Sequence, residues 1–399
     1  MQLAVAFLAP VAGLPTALAL TVALMPLGNV YVGGVALGVV AAWYAAAASA
    51  PGADRPVLMP GLLVWFWGGW MVVAAVSTAF NGATPRQVGQ LAEFLFYGGI
   101  ATLSYNLAAS VEGARQRILA GLIAAAWLLG VASIVAARAE ATDLLFGRNE
   151  GAFFLLLSGV VVPLAVLEGG RLRRRWFAWA TIGVSVGAIV VSDSRAAMAG
   201  AVLCGAGWLA WRIAIGRRRG LSALVLSIGV AGGAFFVVLR GPASLVPGDF
   251  STLERVALLQ QSYALFLERP LVGHGWNALE SLLRSSVYTE LVYPHPHNTY
   301  ARFAAELGVA GLGLLLVLYG GLFLRGLRAH RAGLEEAALL ALLLALTLSA
   351  MSMVAVVFYG ASRALVTAVL LGVACSYRSG EGDRRAADGH GRAGPERVG

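Results

Sequence analysis

Lysine is absent from this chain, so all 29 of its basic side chains are arginines. Charge of either sign is scarce: charged residues make up 12% of the 399 residues, whereas 59% are hydrophobic. With a mean hydropathy of +0.78, the chain has too little polar surface to cover a water-soluble globule. The composition therefore excludes a soluble enzyme, and it excludes a soluble nucleic-acid-binding domain despite the net charge of +9.

Cysteine and cofactor motifs are also scarce. The two cysteines, Cys204 and Cys375, lie inside apolar runs and give no sign of a disulfide or of a metal site. No Walker-type glycine loop and no persuasive metal-ligand spacing is present, so we expect neither a metal nor another cofactor. The N-terminus lacks the basic segment of a secretory signal peptide, so we expect the first apolar run to be retained as a membrane helix.

Apolar runs long enough to cross a bilayer recur throughout the chain, since a span needs about 20 apolar residues. They predict an all-α polytopic membrane protein with about 12 transmembrane helices. Residues 1–378 form a single transmembrane domain in this prediction, and residues 379–399 form a disordered cytoplasmic tail. The predicted spans are 3–25, 28–49, 57–79, 89–109, 114–136, 150–168, 175–192, 196–213, 220–239, 303–327, 335–356 and 360–378.

Arginine clusters recur at alternate connections between these spans. By the positive-inside rule those connections, and both termini, are expected on the cytoplasmic side. The clusters include Arg115 and Arg117, Arg171 to Arg175, Arg217 to Arg219, and Arg325 to Arg331. The one long connection, residues 240–302 between the ninth and tenth spans, then lies on the outer face.

The connection over residues 240–302 has internal structure of its own. A capping-box pattern at Ser251–Glu254 predicts a helix through about Glu268, which Pro270 stops. Glycines then predict a turn at Gly273–Gly275, and a second short helix is expected from Asn277. Connections of this length inside a compact protein are usually functional.

Two histidines end this connection, in the segment Pro294-His295-Pro296-His297-Asn298. Asn298 or Thr299 can cap the helix that follows. The positive end of that helix favours a neutral His297 imidazole, which is the form that a general base needs. His295, two residues earlier on an extended segment, can share a face with it and is the reserve base. Taken alone, the pair also fits solvated histidines at a membrane interface, or a weak metal pair.

Three arginines on the predicted outer face are candidates for binding an anion. They are Arg195 in Ser192-Asp193-Ser194-Arg195, Arg255 on the loop helix, and Arg148 at the entry to the sixth span, where Asn149 is a candidate cap. Arginine binds phosphate and pyrophosphate through paired, charge-assisted hydrogen bonds. An arginine at an interface can also simply extend its charge into water, and an exposed helix arginine is usually solvated.

These residues resemble the O-antigen ligase and polymerase superfamily of bacterial envelope glycosyltransferases. His297 and Asn298 are followed after nine residues by Gly308-Val309-Ala310-Gly311, which is similar to the ligase pattern of a histidine, an amide or hydroxyl residue, and two spaced glycines. Ser194-Arg195-Ala196 resembles a second family element. Arg255, followed by the run from Pro270 to Gly275 (Pro-x-x-Gly-x-Gly), resembles a third.

The resemblance implies a metal-independent, inverting glycosyl transfer at the periplasmic face of the bacterial inner membrane. The implied donor is an O-antigen polysaccharide on undecaprenyl pyrophosphate, and the implied acceptor is a sugar hydroxyl of the lipid A core. His297 would remove the acceptor proton, Arg195 and Arg255 would hold the pyrophosphate, and Arg148 would be a weaker donor-binding candidate. The expected partners are these two lipids and the bilayer, with no nucleic acid.

Two other functions stay open from the sequence. An O-antigen polymerase uses the same donor chemistry but extends a lipid-linked repeat unit. A transporter of lipid-linked oligosaccharide belongs to a different class and would place charges along a central path. Here the polar groups gather at one face, which favours an enzyme.

Overall fold

The computed structural model describes residues 61–111, 113–138, 148–168, 175–216, 250–285, 297–355, 357–358 and 361–377. The elements within these residues are helices, as the sequence predicts. They are α1 (Gly61–Phe80), α2 (Pro85–Ser110), α3 (Ala114–Arg138), α4 (Arg148–Leu156), α5 (Val162–Glu168), α6 (Arg175–Val191), α7 (Arg195–Gly216), α8 (Phe250–Glu268), α9 (Leu279–Ser285), α10 (Thr299–Arg331), α11 (Glu335–Met351) and α12 (Ala361–Cys375).

Every predicted span that falls on described residues coincides with a helix, or with the continuous pair α4 and α5. Five helices of the described part are long and apolar enough to cross a membrane, and two further apolar helices are shorter. The spans at 3–25, 28–49 and 220–239 and the tail at 379–399 lie outside the described residues. The protein is thus a helical membrane protein, while the total of about 12 spans and the orientation in the bilayer stay predictions.

The centre of the bundle is the helix formed by α4 and α5. In the most apolar stretch of this helix 89% is buried, compared with 39% to 44% in the other long spans. Protein therefore surrounds this helix on every side. A π-helical stretch, Leu157–Val161, joins the two parts immediately before Pro163. Proline has no N–H, and its ring clashes with the carbonyl group four residues earlier, so a wider turn at this point relieves the clash.

Several arginines group at one end of the bundle. Arg115 at the start of α3 donates to Ser376 Oγ at 3.2 Å, and Arg325 in α10 donates to the carbonyl oxygen of Tyr377 at 2.8 Å. Both therefore bind the end of α12, where carbonyl groups lack helical partners and a cation is stabilising. Two of the arginines that the sequence assigns to one face, Arg115 and Arg325, thus bind the same helix end.

The loop helices α8 and α9 pack onto the first half of α10. Leu258 of α8, Leu279 and Leu283 of α9, and Ala305 of α10 form one buried apolar cluster. As predicted, α8 ends at Glu268, before Pro270. It begins at Phe250, however, so Ser251 is already inside the helix rather than before it. The described part of this connection is therefore a packed part of the protein.

Candidate active site

A break in α10 shapes this region. Gly308 has a φ of 67° and a ψ of −161°, so the helix is interrupted there and then resumes. A Cβ atom on residue 308 would lie 2.4 Å from the carbonyl oxygen of Leu271, and only glycine adopts this backbone conformation without strain. The first glycine of the spaced pair in the sequence is therefore required by a close approach of two backbones.

The second motif, from Pro270 to Gly275, satisfies the backbone groups that the break sets free. The N–H of Val309 donates to the carbonyl oxygen of Pro270 at 2.8 Å. In return, the N–H groups of His274 and Gly275 donate to the carbonyl oxygens of Ala305 and Glu306, at 3.0 and 2.9 Å. Because buried backbone groups need partners, the two motifs form one structural unit.

A buried ion pair lies beside this unit. The Arg302 Nε atom is 3.1 Å from Glu306 Oε1, one turn further along α10, and the side chains are 2% and 0% exposed. Arg302 also donates to the Oδ1 atom of Asn277, and the N–H of Leu279 donates to Glu306 Oε1 at 3.3 Å. The pair thus fastens the start of α10 to the loop that carries α9. The sequence motifs do not include this ion pair, although two opposite charges four residues apart in an apolar helix were a usable signal.

His297 lies immediately before this part of α10. Asn298 is the helix cap, with its Oδ1 atom accepting from the N–H of Ala301 at 2.9 Å, as predicted. Thr299 is bound to the turn after α11. Its N–H donates to the carbonyl oxygen of Ser352 at 2.7 Å, and its Oγ1 donates to the carbonyl oxygen of Ala355 at 2.8 Å. The residues that follow His297 are thereby anchored on the turn after α11.

The backbone of His297 is in the left-handed region, with a φ of 46°. Residues other than glycine adopt it rarely and at a cost of order 1–3 kcal/mol, and such strain is concentrated at functional sites. The side chain is half-buried. The conformation therefore indicates that the surrounding structure holds the backbone of His297 in place. His295, the reserve base, lies outside the described residues.

Arg195 and Arg148, predicted from separate stretches of sequence, begin two helices that touch. Arg195 is the first residue of α7, and Arg148 is the first residue of α4. Ser194 Oγ donates to Asn149 Oδ1 at 3.2 Å and joins the two starts. Asn149 is thus the second residue of α4 and accepts from Ser194, so the expectation that it caps this helix is wrong. The Arg195 side chain is exposed and has no ion pair within the described ranges.

Arg255 lies on α8, one turn before Leu258, which packs against the first part of α10. Its side chain is exposed. The structure brings its helix to the same part of α10 that His297 precedes. Among the described residues, no hydrogen bond or ion pair joins Arg255 to Arg195.

Arg363, which the sequence analysis did not select, lies near the start of α12. Its Nη2 atom is 3.8 Å from Glu150 Oε1 in α4, and its side chain is 19% exposed. The turn that anchors Thr299 leads to it: the N–H of Val357 donates to Thr299 Oγ1 at 3.0 Å, and Arg363 follows six residues later. An arginine inside a predicted apolar span was the signal that could have identified it.

These contacts place the starts of α4, α7, α10 and α12 at the same end of the bundle, which we call the histidine end. It contains Asn149, Ser194, His297 and Arg363. A helix start carries partial positive charge, which attracts anions and disfavours cations. An arginine at a helix start goes against this preference for anions and adds to the attraction for an anion. The histidine end is therefore suited to an anionic ligand. Among the described residues, no group of three or more His, Cys, Asp or Glu side chains could hold a metal ion.

Comparison with known proteins gives a family match. No curated protein matches the chain. A family model described as O-antigen ligase matches residues 180–316. The matched region begins in α6 and ends in α10, so it includes Arg195, Arg255, His297 and Gly308. Over residues 180–316, the match confirms the resemblance to the O-antigen ligase family that the motifs predict.

Proposed function

We propose that the protein is an O-antigen ligase. It transfers a polysaccharide from undecaprenyl pyrophosphate to a sugar hydroxyl of the lipid A core, at the periplasmic face of the bacterial inner membrane. The observation that carries this proposal is the position of His297, which is fixed before α10 at the same end of the bundle as the start of α7 with Arg195. The family match over residues 180–316 supports an enzyme that acts on lipid-linked glycans.

In the proposed reaction His297 acts as the general base. Its neutral imidazole takes the proton of the acceptor hydroxyl as the oxygen attacks the anomeric carbon of the donor sugar. The bond between that carbon and the pyrophosphate oxygen breaks, and undecaprenyl pyrophosphate leaves with the electron pair. Attack opposite to the leaving group inverts the configuration at the anomeric carbon.

Arg195 and Arg255 stabilise the charge that develops on the leaving pyrophosphate, and Arg148 is a further donor-binding candidate. The side chains of Arg195 and Arg255 are exposed and so are accessible to a ligand. The proposed transfer needs no nucleotide because the donor already carries its activated leaving group. Arginine suits this role because its planar guanidinium group matches two phosphate oxygens at once.

The acceptor distinguishes a ligase from a polymerase. The purified protein in lipid nanodiscs is given lipid-linked polysaccharide together with either lipid A core or a lipid-linked single repeat unit. A ligase forms polysaccharide joined to the core. Elongation of the repeat unit instead would identify a polymerase and overturn the ligase assignment.

A deletion strain gives an independent result. Loss of a ligase leaves long polysaccharide on undecaprenyl pyrophosphate, whereas loss of a polymerase leaves single repeat units on the core. If lipid-linked sugar instead accumulates on the cytoplasmic face and no O-antigen sugar reaches the core, the protein is a transporter rather than a glycosyltransferase.

A further inference from the structure

We propose that Arg363 is a third arginine that binds the diphosphate group of the donor, opposite Arg195 at the histidine end. This inference rests on the proposed function, since it assumes that a lipid-linked diphosphate enters this end of the bundle. It assigns a role to a residue outside the matched region, which ends at residue 316.

The hydrogen-bonding state of Arg363 is the first observation. A guanidinium group has five N–H donors. Among the described residues its one charged partner is Glu150 at 3.8 Å, which is longer than a hydrogen bond. The Nε atom is buried and has no hydrogen-bond partner within the same described part of the chain. A largely buried cation with unsatisfied donors is costly unless a ligand completes its bonds.

The weakness of the pair with Glu150 is the second observation. The Glu150 side chain is 40% exposed, so water competes for its carboxylate, and such pairs stabilise a protein little. Arg363 also lies in the first turn of α12, where a cation is disfavoured by the helix dipole. The pair is therefore poorly explained as a device for stability. A diphosphate can replace the carboxylate, leaving Glu150 to turn toward solvent.

The connection of Arg363 to the other candidate residues is the third observation. On one side, the turn from Ser352 to Val357 binds Thr299, two residues after His297. On the other side, Glu150 lies next to Asn149, which accepts from Ser194, the residue before Arg195. Arg363 thus follows the turn that binds the residues after the proposed base, and it contacts the helix whose start is bonded to the residue before Arg195. The geometry places a third cation where a leaving diphosphate between these residues would pass.

The test measures binding of undecaprenyl pyrophosphate, without sugar, to the full-length protein in nanodiscs. Arg363→Ala should weaken binding about tenfold to a hundredfold, which is the usual effect of losing a charge-assisted hydrogen bond. Arg363→Lys should recover part of the affinity because it restores charge but not the planar fork. Arg328→Ala, at the other end of α10, is the matched control and should bind as the wild type does. Unchanged binding in Arg363→Ala would overturn the proposal.

Glu150→Gln separates ligand binding from a structural role. If Glu150 competes with the diphosphate for Arg363, this variant should bind the lipid at least as tightly as the wild type. If the pair is structural, Glu150→Gln and Arg363→Ala should lower the thermal unfolding temperature and the affinity together, and that result would contradict the proposal.

The proposed function is tested in the same samples. If the wild-type protein transfers polysaccharide and the Arg363→Ala variant binds and transfers as well as the wild type, only the role of Arg363 is contradicted. If the wild-type protein neither binds the lipid diphosphate nor transfers polysaccharide, the proposed function itself is contradicted.

Discussion

The Arg302 guanidinium and the Glu306 carboxylate form an ion pair of 3.1 Å that is almost completely buried within α10. Removing one member of such a pair leaves an uncompensated buried charge, which costs about 3–5 kcal/mol. We therefore expect Glu306→Gln and Arg302→Met each to lower the thermal unfolding temperature of the purified protein strongly. The double variant should lose less stability than the sum of the two single losses. Full additivity of the losses in stability would show that the two side chains are not coupled.

Gly308→Ala tests the break in α10. The added Cβ would meet the carbonyl oxygen of Leu271 at 2.4 Å in a backbone conformation that alanine avoids. We expect a loss of stability of a few kcal/mol, about 1–3 from the backbone alone, measured by thermal unfolding in detergent. Gly313→Ala is the matched control, because a Cβ there meets nothing within 4 Å in a helical stretch. That variant should be neutral or slightly stabilised, and equal losses in the two variants would contradict the steric explanation.

His297→Ala tests the proposed base. We expect transfer to fall about 100-fold to 10,000-fold, the usual contribution of a general base, while the unfolding temperature and the binding of lipid diphosphate stay unchanged. His330→Ala provides a control at the other end of α10, where His330 bonds to Glu335. Wild-type transfer by His297→Ala would assign the proton abstraction to another group.

Asn298→Ala tests whether the helix cap sets the position of His297. The variant loses the bond to the N–H of Ala301 and the bond to the carbonyl oxygen of Met353. Loss of a cap costs about 0.5–2 kcal/mol, and we expect the turnover rate to fall further than this modest destabilisation explains. Asn298→Ser retains a capping oxygen and should recover most of the activity. Equal turnover in the two variants would show that the cap has no influence on His297.

Arg195→Ala and Arg255→Ala test the donor-binding arginines. Each should reduce the rate of transfer and weaken the binding of undecaprenyl pyrophosphate, because each removes a bidentate contact with phosphate. Steady-state kinetics with varied donor concentration measure both effects. Stability should hardly change, since both side chains are exposed. A variant that loses stability but binds normally would point to a structural role.

Much of the helical architecture could be predicted from the sequence. Helices of membrane length follow from the bilayer, because a continuous apolar run has no other way to satisfy its backbone there. The stop of α8 before Pro270 and the cap at Asn298 were also predicted, since proline and asparagine act on the residues beside them. The errors at Ser251 and Asn149 concern helix starts, where a local pattern cannot show which neighbour supplies the capping bond.

The candidate site was predicted only in part. Residue type and spacing predict His297, Arg195 and Arg255 as site residues, and all three lie within the range of the family match. The pairing of Arg302 with Glu306, four residues away, was a usable signal that the motifs did not include, whereas its contact with Asn277 exists only after the loop folds back on α10. The closeness of Arg363 to Glu150, 213 residues earlier in the chain, could not be predicted because only the folded protein brings the two together.

The sequence by itself determined that this is a helical membrane protein, where most of its described helices lie, and which residue types could bind phosphate. These properties depend on composition, on local periodicity and on groups close together in the chain. Only the tertiary structure decided that the segment from Pro270 to Gly275 completes the backbone of a broken helix at Gly308, and that four helix starts meet at the histidine end. Those relationships join distant parts of the chain, where packing and the need to satisfy buried polar groups select one arrangement.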